Sequence, residues 1–258
     1  MDDLLLHNGT AVTCNPAWEI LPDALVAVRG GRLRMVWKRL PGAPLPPARE
    51  TLDAGGGLIL PGLVNAHTHL PMTLFRGLAD DLPLATWLQD HIFPAEARHM
   101  DPASVAWGAR LACAEMLLAG TTVCADGYFH ADAVAQAAVE CGVRAVVGQG
   151  IVDFPAPGIP DPREALPRAR EFLTRWQGAA PWVQPSLFCH SAYTCRPETL
   201  LAAKEAASAA GALFQIHAAE TRQECDGSRA RHGASPIAYL DGLGLLTPGT
   251  LLVHCVWA

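Results

Sequence analysis

The sequence predicts an α/β fold, either a (β/α) barrel or a doubly wound sheet, preceded by a small β module. From Leu58 onward, short apolar runs alternate with segments that have helical start and stop residues. These runs are continuously apolar, which is typical of parallel strands covered on both faces. Half of the 258 residues are hydrophobic and only 17% are charged, so the chain has ample apolar material for a large core.

The first 57 residues favour β structure. Residues 24–28 and 32–37 flank Gly30-Gly31, a pair that accepts the positive φ of a tight hairpin turn. The proline-rich residues 41–47 indicate a surface loop. We therefore expect residues 1–57 to form a β portion distinct from a domain at residues 58–258.

The second region has the organisation of repeated strand–helix units. A helix is predicted from Asp101-Pro102 to Leu118, because aspartate accepts orphan amides and proline suits the first turn. Helices at residues 132–141 and 197–210 each end before a glycine. The predicted strands are residues 58–64, 121–125, 144–147, 183–188, 213–216 and 251–253. A full barrel has eight strands, so six leave the predicted barrel incomplete.

Charge and cysteine usage favour a small-molecule partner and a reducing compartment. The net charge is −6 and no basic cluster is present, which argues against a nucleic-acid partner. None of the eight cysteines forms a CxxC pair, so buried thiols in the cytoplasm are expected. The acidic start Met1-Asp2-Asp3 lacks the basic region of a signal peptide, and the apolar runs are too short to span a bilayer.

Histidines occur where predicted strands end. His67 and His69 are spaced i, i+2 at the end of the first strand after residue 57, so both rings can point to one side. Two unrelated histidines leaving a strand would give the same pattern. His217 and His254 end the fifth and sixth predicted strands, and imidazole is a common zinc or iron ligand. Three histidines with an open position are typical of a catalytic metal site.

Glu220 follows His217 by three residues. A carboxylate just beyond a ligand strand can shuttle a proton to a substrate. A glutamate at the start of a helix can equally be a capping or dipole partner. The catalytic interpretation of Glu220 therefore depends on His217 being a metal ligand.

Several motifs together resemble the amidohydrolase superfamily, and within it the methylthioadenosine/S-adenosylhomocysteine deaminases. They are His67-Thr68-His69, the His217-x-x-Glu220 segment and Val253-His254-Cys255. Residues 74–84 (LFRGLADDLPL), continuing to Glu96, are similar to that subgroup's loop after the first strand. Residues 190–194 (HSAYT) are similar to its strand-four motif.

The resemblance implies a metal-dependent hydrolase with an incomplete TIM-like (β/α)8 barrel and an N-terminal β-sandwich portion. It implies one divalent metal, zinc or else iron, that activates water to hydroxide for deamination of adenosine-type nucleosides with release of ammonia. His67, His69 and His217 would be metal ligands, Glu220 would protonate the purine ring and His254 would orient the water. Glu96 would bind the ribose hydroxyls and His190 would contact the substrate, although a solvated loop residue and a packed histidine remain alternatives.

A single metal is expected because related two-metal enzymes use a bridging lysine on strand four. The chain has two lysines, Lys38 in the β region and Lys204 in a predicted helix, and neither is suitably placed. Some relatives have an arginine near the end of strand three, where this chain has Gln149. The aspartate that the family places after strand eight has no counterpart among these 258 residues.

Three functions therefore stay open at the level of sequence. The first is the adenosine-type deaminase. The second is another enzyme of the same scaffold, such as a guanine or cytosine deaminase or a triazine chlorohydrolase, acting on a heterocyclic amine or a related ring. The third is an inactive fragment whose first and sixth strands leave unpaired edges, which favours low solubility or association with another chain. A homo-oligomer is also left open.

Overall fold

A computed structural model describes all residues from 1 to 258, and the chain forms two compact units. The first unit comprises Met1–Gly62 and the second comprises Leu63–Ala258. None of the helices is long and apolar enough to cross a membrane. All eight cysteines are free, and five of them are buried.

The first unit is a mixed five-stranded sheet. Its strands are β1 (Asp2–Val12), β2 (Ile20–Arg29), β3 (Arg32–Lys38), β4 (Ala48–Asp53) and β5 (Leu58–Ile59). The order is β3-β2-β1-β4, and β5 also pairs with β1. The predicted hairpin is confirmed, since β2 and β3 are antiparallel and both glycines of the connecting turn have positive φ, +58° and +71°.

The predicted strand at residues 58–64 is wrong as a single element. Leu58–Ile59 pairs with Thr10 and Ala11 in the first sheet, whereas Leu63 begins a strand of the second unit. Residues 60–62 are not strand. Pro61 has no N–H to give to a ladder, so an apolar run that looks continuous in sequence is divided between two sheets.

The second unit contains six parallel strands in sequential order. They are β6 (Leu63–Thr68), β7 (Thr121–Tyr128), β8 (Arg144–Ile151), β9 (Val183–Ser191), β10 (Phe214–Ala218) and β11 (Thr250–His254). The predicted α/β fold with six barrel strands is confirmed. β7, β8 and β9 extend three or four residues beyond the predicted ends, and these extensions reach the candidate site. The glycine and polar residues of these extensions have low strand propensity. They form strand because parallel neighbours on both sides continue the hydrogen-bonded ladder.

Helices follow the strands in turn. After β6 come α1 (Leu84–Thr86), a π-helical turn (Trp87–Ile92), α2 (Phe93–His99) and α3 (Pro102–Leu118). The others are α4 (Ala131–Cys141), α5 (Ala165–Trp176), α6 (Pro197–Ala209), α7 (Arg222–His232) and α8 (Pro236–Gly242). The Asp101 carboxylate accepts a hydrogen bond from the Ser104 amide at 2.8 Å, which confirms the predicted cap of α3.

The core of this unit lies between the sheet and its helices. Large side chains such as Phe172 and Phe214 are almost fully buried there. The helices α5, α7 and α8 were not predicted, although α7 has a recognisable start. The Thr221 hydroxyl accepts from the Glu224 amide at 3.1 Å, and the pattern Thr-x-x-Glu is the sequence form of a capping box.

Candidate active site

A cavity of about 630 Å³ opens at the carboxyl ends of the six parallel strands. Strand ends are where a (β/α) barrel gathers functional groups, because the loops that follow all strands meet at that face. All seven residues singled out from the sequence line this cavity: His67, His69, Glu96, His190, His217, Glu220 and His254. The structure therefore brings every candidate residue to one place.

The cavity floor holds a cluster of three imidazoles. His67, His69 and His217 each offer a ring nitrogen, and these atoms lie within 4.8 Å of one another. The Nε2 atoms of His67 and His217 face each other at 3.2 Å. Two nitrogens that share a zinc ion at about 2.1 Å in tetrahedral geometry would be roughly 3.4 Å apart. The cluster is therefore of the right size and donor type to hold one divalent metal.

Strand β7 positions the second histidine of the pair. His67 lies within β6 and His69 directly follows it, as the i, i+2 spacing predicts. The Nδ1 atom of His69 donates to the Gly127 carbonyl at 2.5 Å, so the unprotonated Nε2 atom has a lone pair that is free to bind a metal. The next backbone amide, that of Leu70, donates to the Asp126 carboxylate at 2.6 Å. Adjacent groups of β7 thus hold both the ring and the chain that follows it.

Burial keeps these imidazoles neutral. Loss of hydration disfavours the charged ring and, with the nearby histidines, lowers the pKa of His67 to about 3. The pKa values of His69 and His217 are also lowered, again chiefly by burial. The Nδ1 atoms of His67 and His217 are buried without a protein partner. A neutral imidazole with an available lone pair is the form that binds a metal.

Glu220 and His254 stand beside this cluster. The His254 Nε2 atom lies 3.6 Å from Glu220 Oε1, and the His254 ring stacks on His217 with centroids 5.0 Å apart. Burial raises the pKa of Glu220, against the opposing effect of His254. Glu220 therefore retains a proton to a higher pH than an exposed glutamate does, which suits a group that donates one.

The backbone around Glu220 is held in an unusual conformation. Ala219, His254 and Cys255 have positive φ values of +53°, +75° and +51°, although none is glycine. The Glu224 carboxylate accepts hydrogen bonds from the Ala219 and Glu220 amides at 3.1 and 2.8 Å. Sparsely populated backbone angles persist where surrounding contacts hold them, and they concentrate at functional sites. Glu224 is thus a supporting residue that the sequence analysis did not identify.

Glu96 lies on α2 and is 5% exposed. The Tyr128 hydroxyl, at the end of β7, donates to Glu96 Oε1 at 2.7 Å. Burial raises the pKa of Glu96 to about 7, and the bond from Tyr128 opposes that rise. The solvated-loop alternative for this residue does not describe its environment, which is a buried carboxylate at the cavity wall.

His190 lies near the end of β9 and faces His217 with ring centroids 5.0 Å apart. Its Nδ1 atom lies 3.1 Å from the Thr194 hydroxyl and 3.3 Å from that of Ser191. Burial lowers the pKa of His190 to about 3, so the ring is neutral. The HSAYT motif thus contributes both the histidine and the hydroxyls that orient it.

Phe188 packs against the histidine cluster and was not identified from the sequence. Its ring lies 4.9 Å from that of His217 and 5.7 Å from that of His69, measured between centroids. Gly127 of β7 lies against the Phe188 ring, so a Cβ added at position 127 would overlap that ring. No local pattern marks this pairing, because the two residues are far apart in the chain.

Gln149 and Lys204 do not belong to the site. Gln149 is buried, and its carbonyl accepts from the amide of Ala131 at 3.2 Å, where α4 begins. It therefore caps a helix instead of facing the cavity. The Lys204 ammonium donates to the Thr250 hydroxyl at 2.9 Å, at the amino-terminal end of β11 and thus away from the strand ends that form the cavity.

Comparisons with known proteins agree with this architecture. A 5-methylthioadenosine/S-adenosylhomocysteine deaminase of Syntrophobacter fumaroxidans is 42% identical over 254 residues, covering 98% of this chain and 58% of the relative. A 5'-deoxyadenosine deaminase of Methanopyrus kandleri is 45% identical over 257 residues, covering 98% of this chain and 58% of its own length. The chain thus spans somewhat more than half the length of these relatives.

Solved structures show the same fold. An adenosine deaminase from Xanthomonas campestris with bound zinc superposes with a TM-score of 0.92 at 38% identity, covering 98% of this chain and 57% of that one. A guanine deaminase from C. acetobutylicum superposes with a TM-score of 0.82 at 20% identity, over 97% of this chain and 62% of that one, which bears on the fold alone. The Amidohydrolase family model matches residues 58–258. With that match over most of its length, the chain belongs to the amidohydrolase family.

Proposed function

We propose that the protein is a metal-dependent hydrolytic deaminase of adenosine-type nucleosides. The observation that carries this proposal is the convergence of His67, His69 and His217 within 4.8 Å, beside Glu220 and His254. The names of the relatives from S. fumaroxidans and M. kandleri support an adenine nucleoside as substrate. The net reaction would take one water and release ammonia, leaving a carbonyl where the purine amine was.

The three imidazoles fit a single divalent ion, zinc in preference to iron. They are neutral, His217 is buried and the other two are partly buried, and all three are close enough to share one centre. The zinc in the X. campestris deaminase supports this choice of metal. When bound, such an ion would lower the pKa of water to about 7, which allows attack at neutral pH. Lys204 lies away from the cavity, which supports one metal instead of a lysine-bridged pair.

Glu220 would donate a proton to the substrate, and His254 would orient the attacking water. Glu220, with its raised pKa, would donate a proton to the ring nitrogen beside the amine-bearing carbon. His254, 3.6 Å from Glu220, would hold the attacking water by a hydrogen bond. Protonating the ring as the carbon is attacked relieves the negative charge that would otherwise build up on the purine.

The rest of the cavity would bind the nucleoside. Glu96 would accept hydrogen bonds from the ribose hydroxyls, and neutral His190 would contact the base or sugar. The rest of the cavity wall is mostly apolar. It includes Leu84, Leu88, Phe93, Val152, Phe154 and Pro155. The formally charged lining groups are Glu96 and Glu220, and no lysine or arginine lines the cavity.

This lining supports an adenosine with a small, uncharged 5′ substituent. A carboxylate or ammonium on the substituent would lose hydration against the apolar wall without gaining an opposite charge there. A 5′-deoxy or 5′-methylthio group would instead bury apolar surface favourably. S-adenosylhomocysteine, which carries both charges, would gain less from this apolar wall.

Ammonia release and the ultraviolet change of the purine test the proposal directly. The zinc-loaded protein should deaminate 5′-deoxyadenosine or methylthioadenosine, and removal of the metal with a chelator should abolish the reaction reversibly. Metal analysis should return one ion per site, and two would contradict the single-metal assignment. Absence of turnover with every adenine nucleoside would remove the basis for this function.

A further inference from the structure

Tyr128 makes a buried hydrogen bond to Glu96 that links two parts of the site. Tyr128 closes strand β7, whereas Glu96 lies on α2, in the segment that follows β6. The two side chains are 4% and 5% exposed, and the phenolic O–H donates to Oε1 at 2.7 Å. A charge-assisted bond of this length in a buried setting is among the stronger hydrogen bonds in proteins.

The bond occupies one oxygen of the Glu96 carboxylate and leaves the other oxygen available to a ligand. Oε1 accepts from Tyr128, and Oε2 accepts no hydrogen bond from the protein while the residue lines the cavity. A carboxylate with two free oxygens can rotate about its terminal torsion, which is a broad and soft one. Anchoring one oxygen selects a single orientation and aims the other at the cavity.

The same bond affects the charge of Glu96. Burial raises the pKa of this carboxyl to about 7, and the Tyr128 hydroxyl lowers it. The O–H donor thereby favours the ionised form, which accepts hydrogen bonds from a sugar. Other donors to the carboxylate are absent, so Tyr128 is the single protein group performing this task.

We infer that Tyr128 is a positioning residue that makes the site selective for a ribose with its 2′-hydroxyl. This inference rests on the proposed nucleoside deaminase function and on Glu96 as the group that meets the sugar. A side chain that acts only through Glu96 should affect binding of the ribose and leave the chemistry at the base, on the metal side of the cavity, nearly unchanged. The effect should therefore appear in KM and in the discrimination between adenosine and 2′-deoxyadenosine.

Tyr128→Phe tests the inference, because it keeps the ring that packs in the core and removes the hydroxyl alone. We expect KM for adenosine to rise about 10- to 100-fold, the range for loss of a hydrogen bond that involves a charged group, with kcat changed less than about threefold. The adenosine to 2′-deoxyadenosine ratio of kcat/KM should fall by a similar factor. Tyr239→Phe, on α8 and outside the cavity, is the matched control and should leave both values unchanged.

A double-mutant comparison separates positioning from general stability. In a Glu96→Ala background, adding Tyr128→Phe should change the adenosine to 2′-deoxyadenosine ratio less than about twofold, since the carboxylate that Tyr128 orients is already gone. An equal loss with both nucleosides in either background would show that Tyr128 only supports the fold, and would overturn the inference while leaving the deaminase proposal intact. Wild-type protein that deaminates neither nucleoside would overturn both.

Discussion

Replacing Gly127 by alanine tests how tightly strand β7 must approach the histidine cluster. An added Cβ would lie 2.8 Å from Phe188 Cδ1 and closer still to two other atoms of that ring. Phe188 is 3% exposed and packs on the histidine cluster, so a displaced ring presses on the neighbouring imidazoles. Overpacking of this kind costs about 1–3 kcal/mol. At roughly 3 °C per kcal/mol for a unit of this size, the melting temperature should fall by about 3–9 °C.

The same change should weaken metal binding. Phe188 contacts the rings of His67, His69 and His217, and the Gly127 carbonyl holds His69 Nδ1. A displaced Phe188 ring therefore moves the ligands apart. Because supporting groups of this kind affect metal affinity about 10- to 100-fold, we expect a loss of that order in zinc affinity. Calorimetry of unfolding and competition with a chromophoric zinc chelator measure the two effects.

Gly242→Ala provides the matched control. Gly242 ends α8, its backbone does not require positive φ, and a Cβ there would meet nothing within 4 Å. This substitution should be neutral or stabilise the protein by up to about 1 kcal/mol, with unchanged zinc affinity. If Gly127→Ala behaved like this control, the close packing of β7 against Phe188 would not be needed for the site.

Three further predictions concern the proposed chemistry. Glu220→Gln should lower kcat about 10²- to 10⁴-fold with little change in KM. The control Glu205→Gln, at an exposed position, should match wild type. Equal activity of the two variants would show that Glu220 is not the proton donor. Glu96 has a raised pKa of about 7, so its proton is lost only as pH rises through that value, and KM for adenosine should fall over the same range. A Glu96→Gln variant should not show this fall in KM. If the fall persisted in the variant, the titration of another group would be responsible for it. Methylthioadenosine should exceed S-adenosylhomocysteine in kcat/KM by about tenfold or more because of the apolar wall, and a preference for the charged substrate would contradict that assignment.

The features that could be predicted from sequence depend on short-range rules. The spacing of His67 and His69, the cap at Asp101 and the glycine turn at residues 30–31 each follow from the periodicity or the preferred dihedral angles of a few neighbouring residues. His217 and His254 could be grouped with the first pair because parallel strands in a barrel all end at one face. The resemblance to a known family supplied the roles.

The features that sequence did not reveal depend on contacts between distant residues. Asp126 holds the Leu70 amide across 56 positions of the chain, and Tyr128 meets Glu96 across 32. Asp126 is fully buried, with its pKa raised to about 7 by burial, yet nothing around it in sequence distinguishes it from a surface aspartate. The break at Pro61 is a local signal that was available and was outweighed by the apolar run around it.

The amino-acid sequence by itself determined the alternation of strands and helices and the histidines that end the strands, because both features depend on residues that lie a few positions apart. Only the tertiary structure decided which side chains support those histidines, which oxygen of Glu96 is free and which charges are absent from the cavity wall. These properties arise where separate strands converge at the barrel rim. Their burial and geometry depend on the packing of the whole sheet, which no local pattern specifies.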